Sequence, residues 1–286
     1  MQNILEVLQD TAIDTLKLLP FLFITYLIME YIEHKTSNKV KQVIQKSGKF
    51  GPLLGGIVGI VPQCGFSVSA TNLYSARVIT LGTLISVYLT TSDEMLPILI
   101  SEAAPAGLIL KILAIKLVVG IIAGFIIDLV INVIGKTKKV EPEEAVGHMC
   151  EHDHCDCEHG IFKSALKHTI NIFIFITIIT FAINTLIHFI GEETIEKAIA
   201  GVPVLGILVS SIFGLIPNCA GSVIITELYL SNLISFGSMI AGLLVGSGIG
   251  ILVLFKSNKN IKENLTITGL LMLVGIIVGL IIDFVI

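Results

Sequence analysis

The chain has 286 residues, of which 54% are hydrophobic and 14% charged, with a formal net charge of −4, and its mean hydropathy is +0.93. That balance excludes an ordinary soluble domain and, with so small a net charge and lysines expected in loops rather than on one basic face, a nucleic-acid partner. A spanning helix needs roughly 20 apolar residues, so there is room for about ten spans, short loops and one longer linker in a lipid bilayer, and little for a soluble catalytic domain.

Glu6, Asp10 and Asp14 precede the first apolar run and no small-residue cleavage site closes it, so this run reads as a permanent span rather than a cleaved signal. The first half is predicted to hold membrane segments at roughly 15–32, 51–75 (broken at Pro62), 78–92, 94–110 and 111–134. The second half repeats them at roughly 168–190, 202–230, 233–247, 248–256 and 265–286. Pro97 and Pro105, with the polar stretch Thr90-Thr91-Ser92-Asp93-Glu94, predict that one middle segment is re-entrant or broken, because proline frees backbone groups that lipid cannot satisfy.

An internal repeat organises these segments. Gly59-Ile60-Val61-Pro62-Gln63-Cys64 returns 155 positions later as Gly214-Leu215-Ile216-Pro217-Asn218-Cys219. Ser67, Thr71, Leu73, Tyr74 and Gly82 return as Ser222, Thr226, Leu228, Tyr229 and Gly237, and the closing helices match from Gly120 to Asp128 and from Gly275 to Asp283. Coincident Pro, Cys, Gly and Asp at one offset exceed generic hydrophobic similarity. Asp128 and Asp283 lie near helix ends, where capping or interface anchoring accounts for them, and they are left out of the candidate site.

The loops alternate in charge as the repeat requires. Lys35, Lys39, Lys41, Lys46 and Lys49 put the first loop of half one in the cytoplasm, whereas its counterpart Gly191-Glu192-Glu193-Thr194-Ile195-Glu196 is acidic. Lys136, Lys138, Lys139, Lys256, Lys259 and Lys262 mark further cytoplasmic loops, and Ser101-Glu102-Ala103-Ala104-Pro105 carries no lysine. The expected fold class is therefore an all-α polytopic membrane protein with about ten transmembrane segments in two inverted-topology five-segment repeats, 1–135 and 163–286, joined by a cytoplasmic linker, 136–162. Both termini then lie outside.

Inverted repeats with broken helices place a substrate near the midplane, where the copies meet. The candidate substrate ligands are Gln63, Cys64, Ser67, Asn72, Asp93 and Glu94 from half one and Asn218, Cys219, Ser222, Thr226 and Glu227 from half two. Amides, hydroxyls, thiols and carboxylates together suit a transition or heavy metal ion better than a sugar or a lipid. Small and hydroxylated residues also serve helix packing, and a lone membrane cysteine can be an apolar filler; the carboxylates are more telling, because charge buried in lipid is costly. In the linker, His148, Cys150, His152, His154, Cys155, Cys157 and His159 crowd about a dozen positions, a soft ligand set for zinc-like metals without a fixed zinc-finger spacing. The bland alternative is an acidic linker with incidental histidines. No Gly-x-x-x-x-Gly-Lys-Ser/Thr loop is present, so ATP-driven transport by this chain is not expected. No enzymatic activity or resident cofactor is expected either.

The Pro-Gln-Cys and Pro-Asn-Cys repeat, about ten spans and the His/Cys-rich linker resemble the ten-span heavy-metal exporters, a family distantly similar to arsenic permeases. The resemblance implies secondary efflux of a metal ion, with manganese transporter and arsenic efflux protein both in use as family labels. Arsenic permeases carry a denser Pro-x-Cys-x-Cys pattern; one cysteine per break departs from it and argues against an all-sulfur arsenite site. An arsenical or metalloid permease and a membrane-bound metal sensor that uses the linker are the alternatives, and a thiol oxidoreductase is disfavoured because neither Cys64 nor Cys219 sits in a Cys-x-x-Cys motif. The metal, the coupling ion and whether the chain forms a homo-oligomer are left open by the sequence.

Overall fold

The computed structural model describes residues 11–13, 15–16, 19–20, 23–24, 26–27, 50–61, 64–92, 95–101, 103–134, 161–190, 203–217 and 219–285. Among them every regular element is helical. The first half contains α1 (Gly51–Gly59), α2 (Cys64–Ser75), α3 (Leu81–Thr90), α4 (Met95–Ser101) and α5 (Ala106–Ile134). After α6 (Ile161–Ile190) come α7 (Pro203–Gly214), α8 (Cys219–Leu230), α9 (Phe236–Val245), α10 (Gly250–Ser257) and α11 (Ile261–Val285). Three stretches are long and apolar enough to cross a membrane by length and composition: Ala106–Val133, Phe236–Ser257 and Ile261–Val285. By contrast α1 to α4 have 9, 12, 10 and 7 residues, about half of what a bilayer needs at 1.5 Å per residue.

Two boundaries differ from the expected ones for a local reason. Segments anticipated at 94–110 and 111–134 are instead the short α4 and one 29-residue helix, α5. Pro105 immediately precedes α5, where the missing N–H costs nothing and the ring prevents α4 from running on. At the start of the second half, α6 begins at Ile161, seven residues before the expected segment and just inside the expected linker. The predicted 15–32 segment is described only through residue 27, and not at every position.

Glycine contacts establish the direction of each helix. A Cβ on Gly51 would overlap Thr83 and one on Gly59 would overlap Thr90, so α1 and α3 run the same way side by side. Gly82 lies against Gly124 and Asp128 while Gly120 lies against Thr90 and Ser86, so α5 runs opposite to both. α2, which joins the end of α1 to the start of α3, must therefore return along the path of α1. α1 and α2 therefore form a hairpin, and α3 ends in non-helical Thr91 and Ser92 before α4 begins at Met95. The second half follows suit, since Gly206 faces Ser238, Gly214 faces Gly242, and Gly237 faces Gly279 and Asp283.

Matching detail recurs at the 155-residue offset. Thr80 caps α3 by accepting from Thr83 N at 3.1 Å, and Asp128 accepts from Thr80 Oγ1 at 2.7 Å and Gly82 N at 2.8 Å. Ser235 caps α9 by accepting from Ser238 N at 3.0 Å, and Asp283 accepts from Ser235 Oγ at 2.6 Å and Gly237 N at 2.8 Å. Capping is thus what the two aspartates do. The turns after α2 and α8 each close on one left-handed residue, Arg77 at φ 58° and Asn232 at φ 59°.

Packing interleaves the two halves. α1, α3 and α5 form one layer of helices and α7, α9 and α11 another, while α2 packs on α10, α8 on α4, and α3 touches α9. The central core is built from fully buried Leu84, Ile85, Tyr88 and Leu89 of α3 with Met239, Ile240, Leu243 and Leu244 of α9. Leu110, Val118, Ile122, Ile126 and Leu129 of α5 and Leu265, Leu273, Ile277 and Ile281 of α11 are exposed. Large apolar faces on the two long outer helices fit lipid contact rather than water.

Candidate functional site

The end of α1 lies against the end of α3 and the end of α7 against the last turn of α9, since Gly59 faces Thr90 and Gly214 faces Gly242. Cys64 and Cys219 are the first residues of α2 and α8, and Pro217 lies in the bend between α7 and α8. α3 stops at Thr90 and α9 at Val245, and the end of a helix leaves carbonyls for donors other than its own N–H groups. A cavity of about 20 Å³ lies here, lined by Thr91, Ser92, Met95 and Lys116 from half one and by Gly214, Ser222, Gly242, Leu243, Gly246 and Gly248 from half two. That room suffices for one water or a bare ion.

Of the expected ligands, the structure brings Ser222 to this cavity, and Ser92 places Asp93 and Glu94 next in sequence. Ser67 is fully buried and packs towards Gly250, away from the cavity lining. Asn72 is also fully buried; its Oδ1 accepts from Tyr26 Oη at 3.4 Å and Ser257 Oγ at 3.3 Å, and among the described residues its Nδ2 has no partner. Thr226 is buried, donating to the Ser222 carbonyl at 2.7 Å. Glu227 was expected to be an enclosed carboxylate, but it is exposed on α8, because a helix that buries Ile224, Ile225 and Leu228 turns the next position outward. Gln63, Asp93, Glu94, Asn218 and all seven linker ligands, His148, Cys150, His152, His154, Cys155, Cys157 and His159, lie outside the described residues. Among the described residues no three His, Cys, Asp or Glu side chains come together.

Lys116 is the functional side chain that sequence reasoning missed. It is 1% exposed in the middle of α5, contrary to the expectation that lysines fall in loops. Its Nζ donates to the Thr91 carbonyl of half one and, at 2.8 Å, to the Leu243 carbonyl of half two. Each helix C-terminus carries about half a negative charge, so two of them offset one ammonium. The signal was present: an ionisable residue inside a long apolar run is a functional candidate by default. Lys111, one turn nearer the start of α5, is exposed and sits over the Phe236 ring at 4.6 Å.

A second polar cluster closes one end of the interface between the halves. Arg77 Nη1 and Nη2 donate to the two carboxylate oxygens of Glu263 at 2.6 and 2.9 Å, and Tyr74 Oη donates to the same carboxylate. Bidentate pairing is the strong form of an ion pair, and the Glu263 hydrogen bond raises the Arg77 pKa further above its usual range. It joins the turn after α2 to the first turn of α11.

Half-length helices meeting at a polar cavity, flanked by long apolar ones, define a polytopic membrane protein of the transporter type. A family profile described as "Putative, 10TM heavy-metal exporter" matches residues 2–183 and 160–286, and the chain belongs to that family. No curated protein and no solved structure matches the chain.

Proposed function

We propose that this protein is a secondary transporter that exports a transition or heavy metal ion, with manganese the first candidate, by alternating access between two inverted repeats. The repeats are residues 1–135 and 163–286, broken at Pro62 and Pro217, with residues 136–162 as a cytoplasmic, metal-collecting linker. The observation that carries this reading is the cavity itself. It sits where α3 and α9 stop and beside the first turn of α8, with lining from both halves, the arrangement in which rocking one half against the other exposes a site to alternate sides.

Helix directions support the proposed topology independently of the loop charges. Gly51 beside Thr83, and Gly82 beside Asp128, put the start of α1 and the end of α5 on one side. The Arg77–Glu263 pair brings the start of α11 to that same side. The lysine-rich stretches 35–49, 136–139 and 256–262 all attach there, as cytoplasmic loops should.

In this reading Gln63, Cys64, Asn218, Cys219 and Ser222 hold the ion, and Glu94, next to the cavity wall in sequence, exchanges protons for it. Oxygen donors suit manganese, whereas the thiols extend the range to softer metals. The direct test is metal-by-metal flux in proteoliposomes under a set pH gradient. Replacing both Cys64 and Cys219 with Ser should lower flux of thiophilic metals at least tenfold, about 1.4 kcal/mol of binding. Unchanged flux and selectivity would sink the ligand assignment.

A further inference from the structure

The position of Lys116 has a chemical meaning beyond metal binding. Thr91 O belongs to the C-cap residue of α3 and Leu243 O to the last turn of α9. Two inward-facing carbonyls at converging half-helix C-termini are the donor set that membrane transporters use for a small monovalent cation. Ser92 and Ser222 line the same 20 Å³ cavity, and the Ser92 hydroxyl donates to the neighbouring Thr90 carbonyl at 2.9 Å. Here the place is taken by an ammonium that the chain itself supplies.

We propose that Lys116 is a tethered cation standing where a coupling sodium ion would otherwise bind, so that the protein works without any bound alkali cation. This rests on the transporter reading and deepens it by assigning the coupling chemistry. The ammonium is tied to both halves at once, through α3 and α9, and is held by α5. It therefore supplies from within the chain the charge that a dissociable ion would supply only when bound. Removing it leaves the two carbonyls and their helix dipoles without a positive charge, in a cavity large enough for one ion.

Two measurements test this. In the first, wild-type proteoliposomes are assayed for metal flux with choline, Na⁺ or Li⁺ as the only monovalent cation; flux should agree within about twofold across the three. A wild type that requires Na⁺ overturns the proposal whatever the variants do. In the second, thermal unfolding of detergent-solubilised Lys116→Ala and of the nearly isosteric Lys116→Met is followed against Na⁺ and methylammonium. Ligands that bind only the folded state raise the midpoint steadily with the logarithm of their concentration above Kd, and at least Lys116→Ala should show this where wild type does not. In flux, Lys116→Ala should fall about tenfold or more in choline and recover to within about twofold of wild type in Na⁺ or methylammonium. Folded variants that are neither stabilised nor rescued by either cation overturn the tethered-cation role. If the unfolding midpoint responds to Na⁺ while wild type moves no metal, the transporter reading fails alone.

Discussion

The two halves of the molecule share a scaffold and differ at their working surfaces. Thr80, Thr83 and Asp128 are matched bond for bond by Ser235, Ser238 and Asp283. Around the cavity the match stops. Val87, Thr91 and Asp93 of half one correspond to Gly242, Gly246 and Gly248 of half two, and Lys116 corresponds to Leu271. Tyr88, whose ring is fully buried against Gly250 and whose hydroxyl bonds Thr71, corresponds to Leu243. Two-fold symmetry would offer two equivalent pockets. One is filled by the Tyr88 ring and the other is opened by glycines, which leaves a single cavity. The Arg77–Glu263 pair is likewise one-sided: its counterparts are Asn232 and Leu108. Repeated residues hold the helices together, and unrepeated ones carry the asymmetry a directional process needs.

The largest effects should fall on the shared scaffold and fall equally. Gly82→Val and Gly237→Val each drive a side chain into a facing glycine carbonyl and an aspartate. Backbone cannot yield as a flexible side chain can, so each should cost about 3 kcal/mol or more. Unfolding midpoints and the yield of monodisperse protein read this; a mild effect in one half only would break the equivalence of the two.

Next in size is the one-sided latch. Arg77→Ala removes a bidentate partner from a carboxylate whose side chain is 21% exposed, an expected loss of about 1–2 kcal/mol after allowance for solvent. A double-mutant cycle with Glu263→Gln should return most of that as coupling. Cysteines placed in the turn after α2 should become more reactive to a membrane-impermeant thiol reagent applied from the proposed cytoplasmic side. Asn232→Ala, which only strains a left-handed residue, should leave reactivity on the opposite side unchanged.

The smallest effect on stability should accompany a clear effect on transport. Gly246 has an ordinary φ of −66°, and an added Cβ would meet nothing nearer than 3.5 Å. Gly246→Ala should therefore shift stability by about 0.5 kcal/mol or less in either direction, while narrowing the cavity and reducing metal flux severalfold. Full flux with the methyl in place would separate the cavity from the transport path.

Much of this was legible before any coordinates. The Pro-amide-Cys offset gave the correspondence of α2 with α8, and the shared register of Asp128 and Asp283 pointed to capping or anchoring, while only the fold showed that they cap α3 and α9. Less legible was the course of the 51–75 region, read as a broken span. Hydropathy counts apolar atoms and carries no direction, so a 9-residue and a 12-residue helix read alike whether they cross or return. Lys116 was missed because it was grouped with the loop lysines, although its apolar neighbours set it apart.

By itself, then, the sequence determined the solvent, the helical class and the 155-residue correspondence, because composition and residue pattern act locally along the chain. Tertiary structure alone decided that α1 and α2 form a hairpin, that Tyr88 closes one of two equivalent pockets, and that Lys116 meets carbonyls from both halves. Those outcomes depend on which glycine faces which backbone and where two helix ends converge. Close packing between segments distant in sequence settles such matters, and no local pattern encodes them.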